Sequence, residues 1–393
     1  HSDYFTITFS DSNKFMYFSS RQEKTELRKN IKRRNCCVNS YVFRSIRLPH
    51  YLLPVKLDKN KPITEKGRKQ MKLANKNAIP EAIKLYEYLC ALSGKGILTG
   101  QHTQTRGMEE IGHIQRLTGK KPALCGFELL GYSPNINYED MGEACRKEVE
   151  ENQDTLKEAM RWAEEEKGII TFTWHWFSPL GGRDKSFYTE NTDFDADRIL
   201  VSGSVEEKAF YHDMDIMAEL LRPFLCKKIP ILWRPFHEAD GTWFWWGAKG
   251  VETAKDLYLK MFRYFTEEKK LHNLIWVWNA VSPEGYPGDA YVDIVSRDIY
   301  SEPGSKTDYA AEYRELIRNT TAQKPAALAE IGILPDIKLL SESKIPWIYY
   351  MTWSGKFVLT EEMNSSEELQ NLFGNAYSID LNTCKQVRHL NEK

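Results

Sequence analysis

Two glutamates of this sequence are placed where a pair of carboxylates could act on one bond. Glu238 ends the apolar run 230–238 (PILWRPFHE), and Glu330 lies in the apolar run 325–332 (PAALAEIG). A charged group beside such runs is costly unless it is paired or used. Two carboxylates at one site suit glycoside hydrolysis, in which one protonates the leaving oxygen and the other attacks the anomeric carbon or activates water. A structural ion pair, for example with Arg234, is the alternative for either glutamate alone.

Aromatic side chains surround the first of these glutamates. The segment Trp233–Gly247 reads WRPFHEADGTWFWWG and places four Trp close to Glu238 in sequence. Sugar rings present apolar C–H faces, which flat indole rings cover at a small cost in side-chain entropy. The Trp residues that we predict to contact sugar units are Trp176, Trp243, Trp246 and Trp353. The Trp residues that we predict to pack in the core are Trp162, Trp233, Trp276 and Trp278.

The elements that must position these residues alternate regularly from about residue 60. Short β-rich apolar runs are separated by longer amphipathic stretches. The runs predict eight strands, at 96–102, 122–130, 168–176, 230–238, 274–280, 291–300, 325–332 and 347–353. Most of the runs are continuously hydrophobic, as is typical of parallel strands that are covered on both faces.

Three stretches between the runs carry a helical pattern. Residues 147–168 have a charged face and end at Gly168, a residue type that favours a helix C-cap. Residues 205–225 and 252–268 repeat large apolar residues at three- and four-residue spacing. Eight strands that are each followed by a helix predict an α/β fold, a (β/α)8 TIM barrel. An open doubly wound sheet is the alternative, although no strand is followed by a GxGxxG or Walker-type glycine loop.

The barrel predicts where reactive residues lie, because active sites of this fold form at the carboxyl ends of the strands. Polar and aromatic residues of this sequence cluster at those ends. They are His102, His175, Trp176, His237, Glu238, Asp298, Tyr300, Glu330 and Trp353. Arg234, within the fourth run, is also assigned to substrate binding. We therefore expect a single polar site at one mouth of the barrel.

Composition excludes several classes of function. The chain has 393 residues, of which 41% are hydrophobic and 28% charged, and its formal net charge is −1. This balance indicates neither a nucleic-acid partner nor an acidic membrane surface, and no apolar run is long enough to predict a membrane span. The seven cysteines are scattered without a CxxC pair, so we expect buried free thiols rather than a zinc site or a disulfide framework.

The N-terminal part of the chain differs from the rest. Residues 1–60 are predicted to be a basic extension, peripheral or partly disordered, because the first 55 residues hold ten Lys or Arg and four Asp or Glu. A basic binding tail is the alternative. Residues 61–393 are assigned to the catalytic barrel. No signal peptide is visible, and the chain begins His-Ser rather than Met, which we interpret as processing.

At these residues the sequence resembles glycoside hydrolase family 26, whose best-known members are β-mannanases with a retaining mechanism and a (β/α)8 fold. The resemblance covers roughly residues 85–380. WRPFHE–ADGTWFWWG is similar to the family signature of the fourth barrel strand, and ALAEIG to that of the seventh. YPGDAYVDIVSRDIY is similar to the family's segment at the sixth strand.

The resemblance implies a role for each matched residue. Glu238 matches the family's acid/base and Glu330 its nucleophile, while Asp298 and Tyr300 match residues that support the active site. The residues that match those shaping the subsite of the cleaved sugar are His175, His237 and Trp353. Two positions depart from the pattern: Ser-Gly-Lys follows Trp353, where some mannanases carry an Arg that grips the neighbouring sugar, and Ala-Asp-Gly follows Glu238.

The expected activity is cleavage of β-1,4-mannosidic bonds in mannan, glucomannan or galactomannan by double displacement, without a metal ion or cofactor. Mixed-linkage β-1,3-1,4-glucan and β-1,3-xylan stay alternative substrates, because relatives of similar sequence cleave them. A catalytically inactive carbohydrate-binding barrel and a metal hydrolase that uses His102, His175 and His237 are further alternatives. We expect a monomer that is secreted, periplasmic or attached to the cell surface, since a polymer does not cross a membrane. The long segment 177–204 is predicted to form one wall of the cleft.

Overall fold

The computed structural model of the chain describes residues 72–320 and 324–390. The strands within these residues are short, and nearly all of their residues are buried. In chain order they are β1 Ile97–Leu98, β2 Gly100–His102, β3 Leu124–Glu128, β4 Ile169–Thr173, β5 Ile231–Arg234, β6 Leu274–Asn279, β7 Ile294–Ile299, β8 Ala326–Ile331, β9 Trp347–Thr352 and β10 Ser378–Ile379.

Eight of these strands close into a barrel. Strands β2 to β9 pair in sequence order, every pairing is parallel, and β9 pairs with β2 to complete the ring. The two-residue strand β1 precedes β2 in the first predicted run and pairs in parallel with β9 and β10. The predicted (β/α)8 barrel is confirmed, and each predicted run contains its strand, although the observed strands are shorter.

One helix precedes the barrel and helices follow its strands, except that only the 3-10 turn Pro283–Gly285 lies between β6 and β7. Those within the described residues are α1 Pro80–Leu92, α2 Glu109–Thr118, α3 Glu143–Glu151, α4 Thr155–Glu164, α5 Val205–Cys226, α6 Val251–Arg263, α7 Ala310–Leu316, α8 Ile337–Ser343, α9 Lys356–Leu359, α10 Ser366–Gly374 and α11 Leu381–Leu390. The helix predicted at 205–225 is α5. The helix predicted at 252–268 is α6 followed by a π-helical turn at Tyr264–Glu268.

The single helix predicted at 147–168 is wrong, because α3 and α4 are separate helices and α4 ends four residues before Gly168. In the break, the side chain of Asn152 donates to the carbonyl oxygen of Glu148 at 2.9 Å, and Asp154 takes a left-handed φ of 57°. Short polar side chains compete with the helix for backbone hydrogen bonds, and Asp tolerates the left-handed region better than most residues. The break falls in residues 150–155 (EENQDT), which contain no apolar residue, between Val149 and Leu156.

The core confirms four predicted positions. The Trp residues predicted to pack inside the protein are at most 1% exposed, namely Trp162, Trp233, Trp276 and Trp278. Full burial of one large apolar side chain contributes on the order of 1.5–3 kcal/mol. This layer of rings between the strands and the helices therefore makes a rigid base for the residues at the strand ends.

Three other predictions concern the chain as a whole. None of the cysteines within the described residues is in a disulfide; three of them are buried, while Cys90 is half-buried and Cys226 exposed. Cys36 and Cys37 and the predicted extension 1–60 lie outside the described residues. In residues 72–320 and 324–390, no helix has both the length and the apolar composition that crossing a membrane requires.

Candidate active site

The carboxyl ends of the strands bring three acidic residues together at one mouth of the barrel. Asp298 lies on β7, Glu330 lies on β8, and Glu238 follows β5 by four residues. Carboxylate oxygens of these three residues lie within 4.8 Å of one another. The two glutamates singled out in the sequence, 92 positions apart, are therefore neighbours in space.

Arg234, the last residue of β5, lies inside this cluster. Its guanidinium donates to Asp298 at 2.7 Å and to Glu330 at 2.9 Å, and it also donates to the hydroxyl of Thr173 at 3.0 Å. Burial opposes the charge of Arg234, but the two carboxylates outweigh this effect and raise its pKa. Arg234 is 1% exposed and its guanidinium contacts these side chains, while the substrate contact expected for it stays a prediction.

The cluster contains more acidic than basic groups. Burial raises the pKa of Asp298 to about 8, and the charges of Glu330 and Glu238 add to this effect while Arg234 opposes it. Two of the three carboxylates share the Arg234 guanidinium, and burial together with the neighbouring negative charges favours a protonated carboxyl in this cluster. The hydroxyl of Tyr300 donates to Glu330, and burial raises the pKa of Tyr300, so this group stays a neutral donor.

Glu238 is held from two sides. The indole N–H of Trp243 donates to its carboxylate at 2.7 Å, and the backbone N–H of Glu238 donates to the side-chain oxygen of Asn279 at 2.6 Å. The strand predicted to run as far as Glu238 ends at Arg234. Beyond it, Phe236 and Glu238 both take a positive φ of 51°, in the left-handed region that residues other than glycine rarely adopt.

Two of the predicted aromatic residues have exposed ring surface at the site. Trp243 is 49% exposed beside Glu238, and Trp353 is half-buried with its ring stacked on His102 at 4.2 Å between centroids. A Cβ atom at Gly241 would lie 2.3 Å from the indole of Trp243, so only glycine allows this ring to pack there. Both rings can cover the apolar face of a sugar.

The other two predicted aromatic residues lie in the core. Trp176 is 2% exposed, donates to Asp213 at 2.8 Å and stacks on Trp174 at 4.0 Å between centroids. Trp246 is 1% exposed and donates to the carbonyl oxygen of His237 at 2.9 Å. The structure places both rings in the core, and the contact of Trp176 and Trp246 with sugar units stays a prediction. The sequence shows that a residue follows a strand, but it does not show whether the side chain of that residue points to the mouth of the barrel or to the core.

A buried row of polar contacts starts at Glu128, which the sequence analysis missed. Its carboxylate lies 2.6 Å from Nδ1 of His175 and accepts the backbone N–H of His175 at 2.7 Å. Nε2 of His175 lies 3.0 Å from Nε2 of His237, which directly precedes Glu238. Burial alone would raise the pKa of Glu128, but the charge and hydrogen bonds of His175 outweigh it and leave this pKa below its usual value. Glu128 ends its strand as a lone acid in an apolar run, and that signal could have identified it.

These contacts constrain the tautomers of the two histidines. The carboxylate of Glu128 makes Nδ1 of His175 a donor, and of the two Nε2 atoms that face each other one must donate and the other accept. Burial lowers the pKa of His102 to about 4, and neither of its ring nitrogens has a hydrogen-bond partner within the described residues. These three histidines do not form a metal-ligand group in the described part of the chain, where the candidate group is the three carboxylates. The metal hydrolase that would use these histidines therefore lacks a ligand set.

The segment 177–204 is fastened to the loop that carries Trp243. The backbone N–H of Thr189 donates to the carbonyl oxygen of Trp243 at 2.7 Å, and the backbone N–H of Trp245 donates to that of Phe187 at 3.1 Å. Between these two bonds, Tyr188 pairs with the opposite loop through an isolated β-bridge. The two loops therefore support each other beside Glu238.

Comparison with known proteins identifies the family of the chain. Residues 74–383 match the sequence profile of glycosyl hydrolase family 26. The chain belongs to this family. The mannan endo-1,4-β-mannosidase of Thermothelomyces thermophilus is 36% identical over 317 residues, which are 79% of this chain and 62% of that protein. Mannan endo-1,4-β-mannosidase B of Piromyces sp is 31% identical over 308 residues, 77% of this chain and 51% of that protein.

Solved structures of the family share the barrel. The GH26-CBM35 β-(1,4)-mannanase of Podospora anserina has a TM-score of 0.72 at 33% identity, covering 81% of this chain and 70% of that one. The β-mannanase from a symbiotic protist of the termite Reticulitermes speratus, solved with a gluco-manno-oligosaccharide, has a TM-score of 0.70 at 29% identity. The match covers 80% of this chain and 97% of that one. The chain spans 62% and 51% of the length of the two curated relatives named above.

Proposed function

We propose that this protein is a retaining endo-β-1,4-mannanase that acts on mannan, glucomannan or galactomannan. The observation that carries the proposal is the close approach of Glu238 and Glu330, whose oxygens lie within 4.8 Å. Retaining glycosidases hold their two carboxyl groups about 5–5.5 Å apart, whereas inverting enzymes leave about 6.5–9.5 Å for a water molecule. The names of the related mannosidases support β-mannan as the substrate.

In the first step, Glu330 attacks the anomeric carbon while Glu238 protonates the leaving oxygen. Arg234 keeps Glu330 ionised through the 2.9 Å ion pair, and the hydroxyl of Tyr300 orients the carboxylate for attack. In the second step, Glu238 takes a proton from a water molecule, and that water releases the sugar from Glu330 with net retention. No residue of this scheme requires a metal ion or an organic cofactor.

The exposed surface around Glu238 and Glu330 binds the substrate in this proposal. We assign the floor under the reacting sugar to Trp353 and a neighbouring sugar to Trp243, because these rings have exposed faces beside the carboxylates. The segment 177–204 forms a wall of the cleft in this proposal, supported by its bonds to the loop of Trp243. Deletion of the middle of that segment should change the length of oligosaccharide that is cleaved best. An unchanged length preference would contradict the wall.

The row from Glu128 to His237 has a supporting role in this proposal. It fixes the ring of His237 directly beside the acid/base, and His102 under Trp353 presents ring nitrogens that are neutral at the pH of most assays. A neutral imidazole can accept or donate a hydrogen bond without adding charge to the crowded carboxylate cluster. We therefore assign His102, His175 and His237 to holding the sugar and the carboxylates in place.

A product profile tests the proposal. The protein is incubated with linear mannan, galactomannan, lichenan and β-1,3-xylan, and the lengths of the released oligosaccharides are followed over time. We expect mixed manno-oligosaccharides from the first two polymers and none after the change Glu330→Ala. Release from lichenan or β-1,3-xylan alone would assign the same site to another β-glycan. Binding to mannan without release of reducing ends would indicate a binding protein instead.

Because a polysaccharide does not cross a membrane, we also propose that the protein acts outside the cytoplasm. We propose that it acts as a monomer.

A further inference from the structure

Asn279, the last residue of β6, is bonded to the loop that carries the acid/base. Its side-chain oxygen accepts the backbone N–H of Glu238 at 2.6 Å, and its backbone carbonyl oxygen accepts the backbone N–H of Ala239 at 3.1 Å. Its amide nitrogen donates to Ser296 at 3.0 Å and to Asp298 at 2.8 Å. Both amide hydrogens and the amide oxygen are thus in use, and this fixes the orientation of the side chain.

The loop needs such a contact, because Glu238 lies beyond the end of its strand. The ladder of β5 stops at Arg234, and Glu238 has a left-handed φ of 51°. A residue other than glycine keeps such a conformation only when its surroundings determine it. Asn279 is 1% exposed and sits on a barrel strand, so it is a rigid point from which two consecutive N–H groups can be held.

The same side chain reaches the nucleophile side of the site. Asn279 donates to Asp298, Asp298 pairs with Arg234, and Arg234 pairs with Glu330. One amide therefore connects the backbone of Glu238 to the ion pairs around Glu330. We propose that Asn279 is a positioning residue, which sets the place of the Glu238 carboxyl relative to Glu330. This inference rests on the proposed acid/base role of Glu238.

A leaving-group comparison separates this role from a merely structural one. Mannotetraose needs a proton on its leaving oxygen, whereas 2,4-dinitrophenyl β-mannobioside has a leaving group that needs none. General acid catalysis contributes about 10²–10⁴-fold, so a misplaced acid in Asn279→Ala should lower kcat/KM on mannotetraose by about 10–10²-fold. On the dinitrophenyl substrate, kcat/KM should fall less than about threefold, because that step needs no acid. Azide, which attacks without a base, should raise turnover of the dinitrophenyl substrate by this variant.

The chain offers a matched control on the same strand. Asn273 immediately precedes β6 at the opposite end of the barrel, is fully buried, and donates to the carbonyl oxygen of Ile229 at 2.9 Å. Asn273→Ala removes a buried amide of the same kind and should change kcat/KM equally for both substrates. Equal losses in a folded Asn279→Ala would overturn the positioning role, since they indicate general damage to the site.

A second variant serves if Asn279→Ala does not fold. Asn279→Asp keeps an oxygen for the N–H of Glu238 and loses the donor to Asp298, so we expect the same selective loss on mannotetraose, smaller than in the alanine variant. Equal losses on both substrates would again overturn the role. A wild-type protein that is inactive on both substrates would instead overturn the proposed function, and the role of Asn279 with it.

Discussion

Asp213 of α5 is a buried carboxyl whose ionisation should lower the stability of the barrel. One of its oxygens accepts from Trp176 and from Asn135, each at 2.8 Å, and the other has no hydrogen-bond partner within the described residues. The residue is 0% exposed. Burial raises its pKa from 3.8 to about 6, although both hydrogen bonds act in the opposite direction.

The size of the effect follows from this shift. A difference of about two pKa units at about 1.36 kcal/mol each corresponds to about 3 kcal/mol. Because the native state binds this proton more tightly than the unfolded state, the contribution of Asp213 is fully present below pH 4 and is lost as the pH rises through about 6. Asp213→Asn keeps an oxygen that can accept from both donors but removes the charge.

Urea denaturation at pH 4 and pH 7.5, followed by Trp fluorescence, measures this contribution. The free energy of unfolding of Asp213→Asn relative to wild type should increase by about 3 kcal/mol between the two pH values. The subtraction removes the pH dependence of all other groups. Asp256→Asn, at an exposed position of α6, is the control and should give the same difference at both pH values. Unfolding free energies of Asp213→Asn and wild type that differ equally at both pH values would refute the reasoning.

Three further predictions concern the site. Trp243→Phe keeps an aromatic face but removes the N–H donated to Glu238. A hydrogen bond contributes about 0.5–1.5 kcal/mol, and a loss of about 1 kcal/mol should lower kcat/KM on mannotetraose about fivefold. An unchanged kcat/KM would contradict a role for this bond. Glu128→Gln should destabilise the protein at neutral pH, and less so in acid. The pKa of Glu128 is lowered in the native state, so the contribution of its charge to stability is lost as the pH falls through that pKa. Denaturation curves at pH 7 and pH 3.5 measure this effect, and an equal difference in unfolding free energy between variant and wild type at both pH values would count against it. Dialysis against EDTA should leave mannan hydrolysis unchanged, whereas a loss that a divalent cation reverses would make the three carboxylates a metal site.

The barrel could be predicted from the sequence because its signal is repeated eight times. Parallel strands covered on both faces must be apolar throughout, so each of them leaves a continuous run. The two glutamates could also be predicted, since a carboxylate at the end of such a run has few structural uses. The break between α3 and α4 was not predicted from the charged face of residues 147–168, and it depends on a local bond of Asn152 and a left-handed Asp154 within the polar run 150–155.

The finer geometry of the site depended on contacts between distant residues. Trp243 and Trp246 stand three positions apart in one loop, yet the first is 49% exposed and the second 1%. Exposure there is decided by packing against the segment 177–204 and the core, which no local pattern encodes. Asn279 was missed for the same reason, since the partner of its side-chain oxygen lies 41 positions away in the sequence. Glu128, by contrast, left a local signal as a lone acid in an apolar run.

The assignment of Glu330 as the nucleophile is tested most directly by trapping the glycosyl-enzyme. The protein is incubated with a 2-deoxy-2-fluoro-β-mannobiosyl fluoride, digested, and its peptides are mapped by mass spectrometry. Double displacement predicts one labelled peptide, with the sugar attached to Glu330. A label on Glu238 or Asp298, or no label together with release of products in the α configuration, would contradict the account.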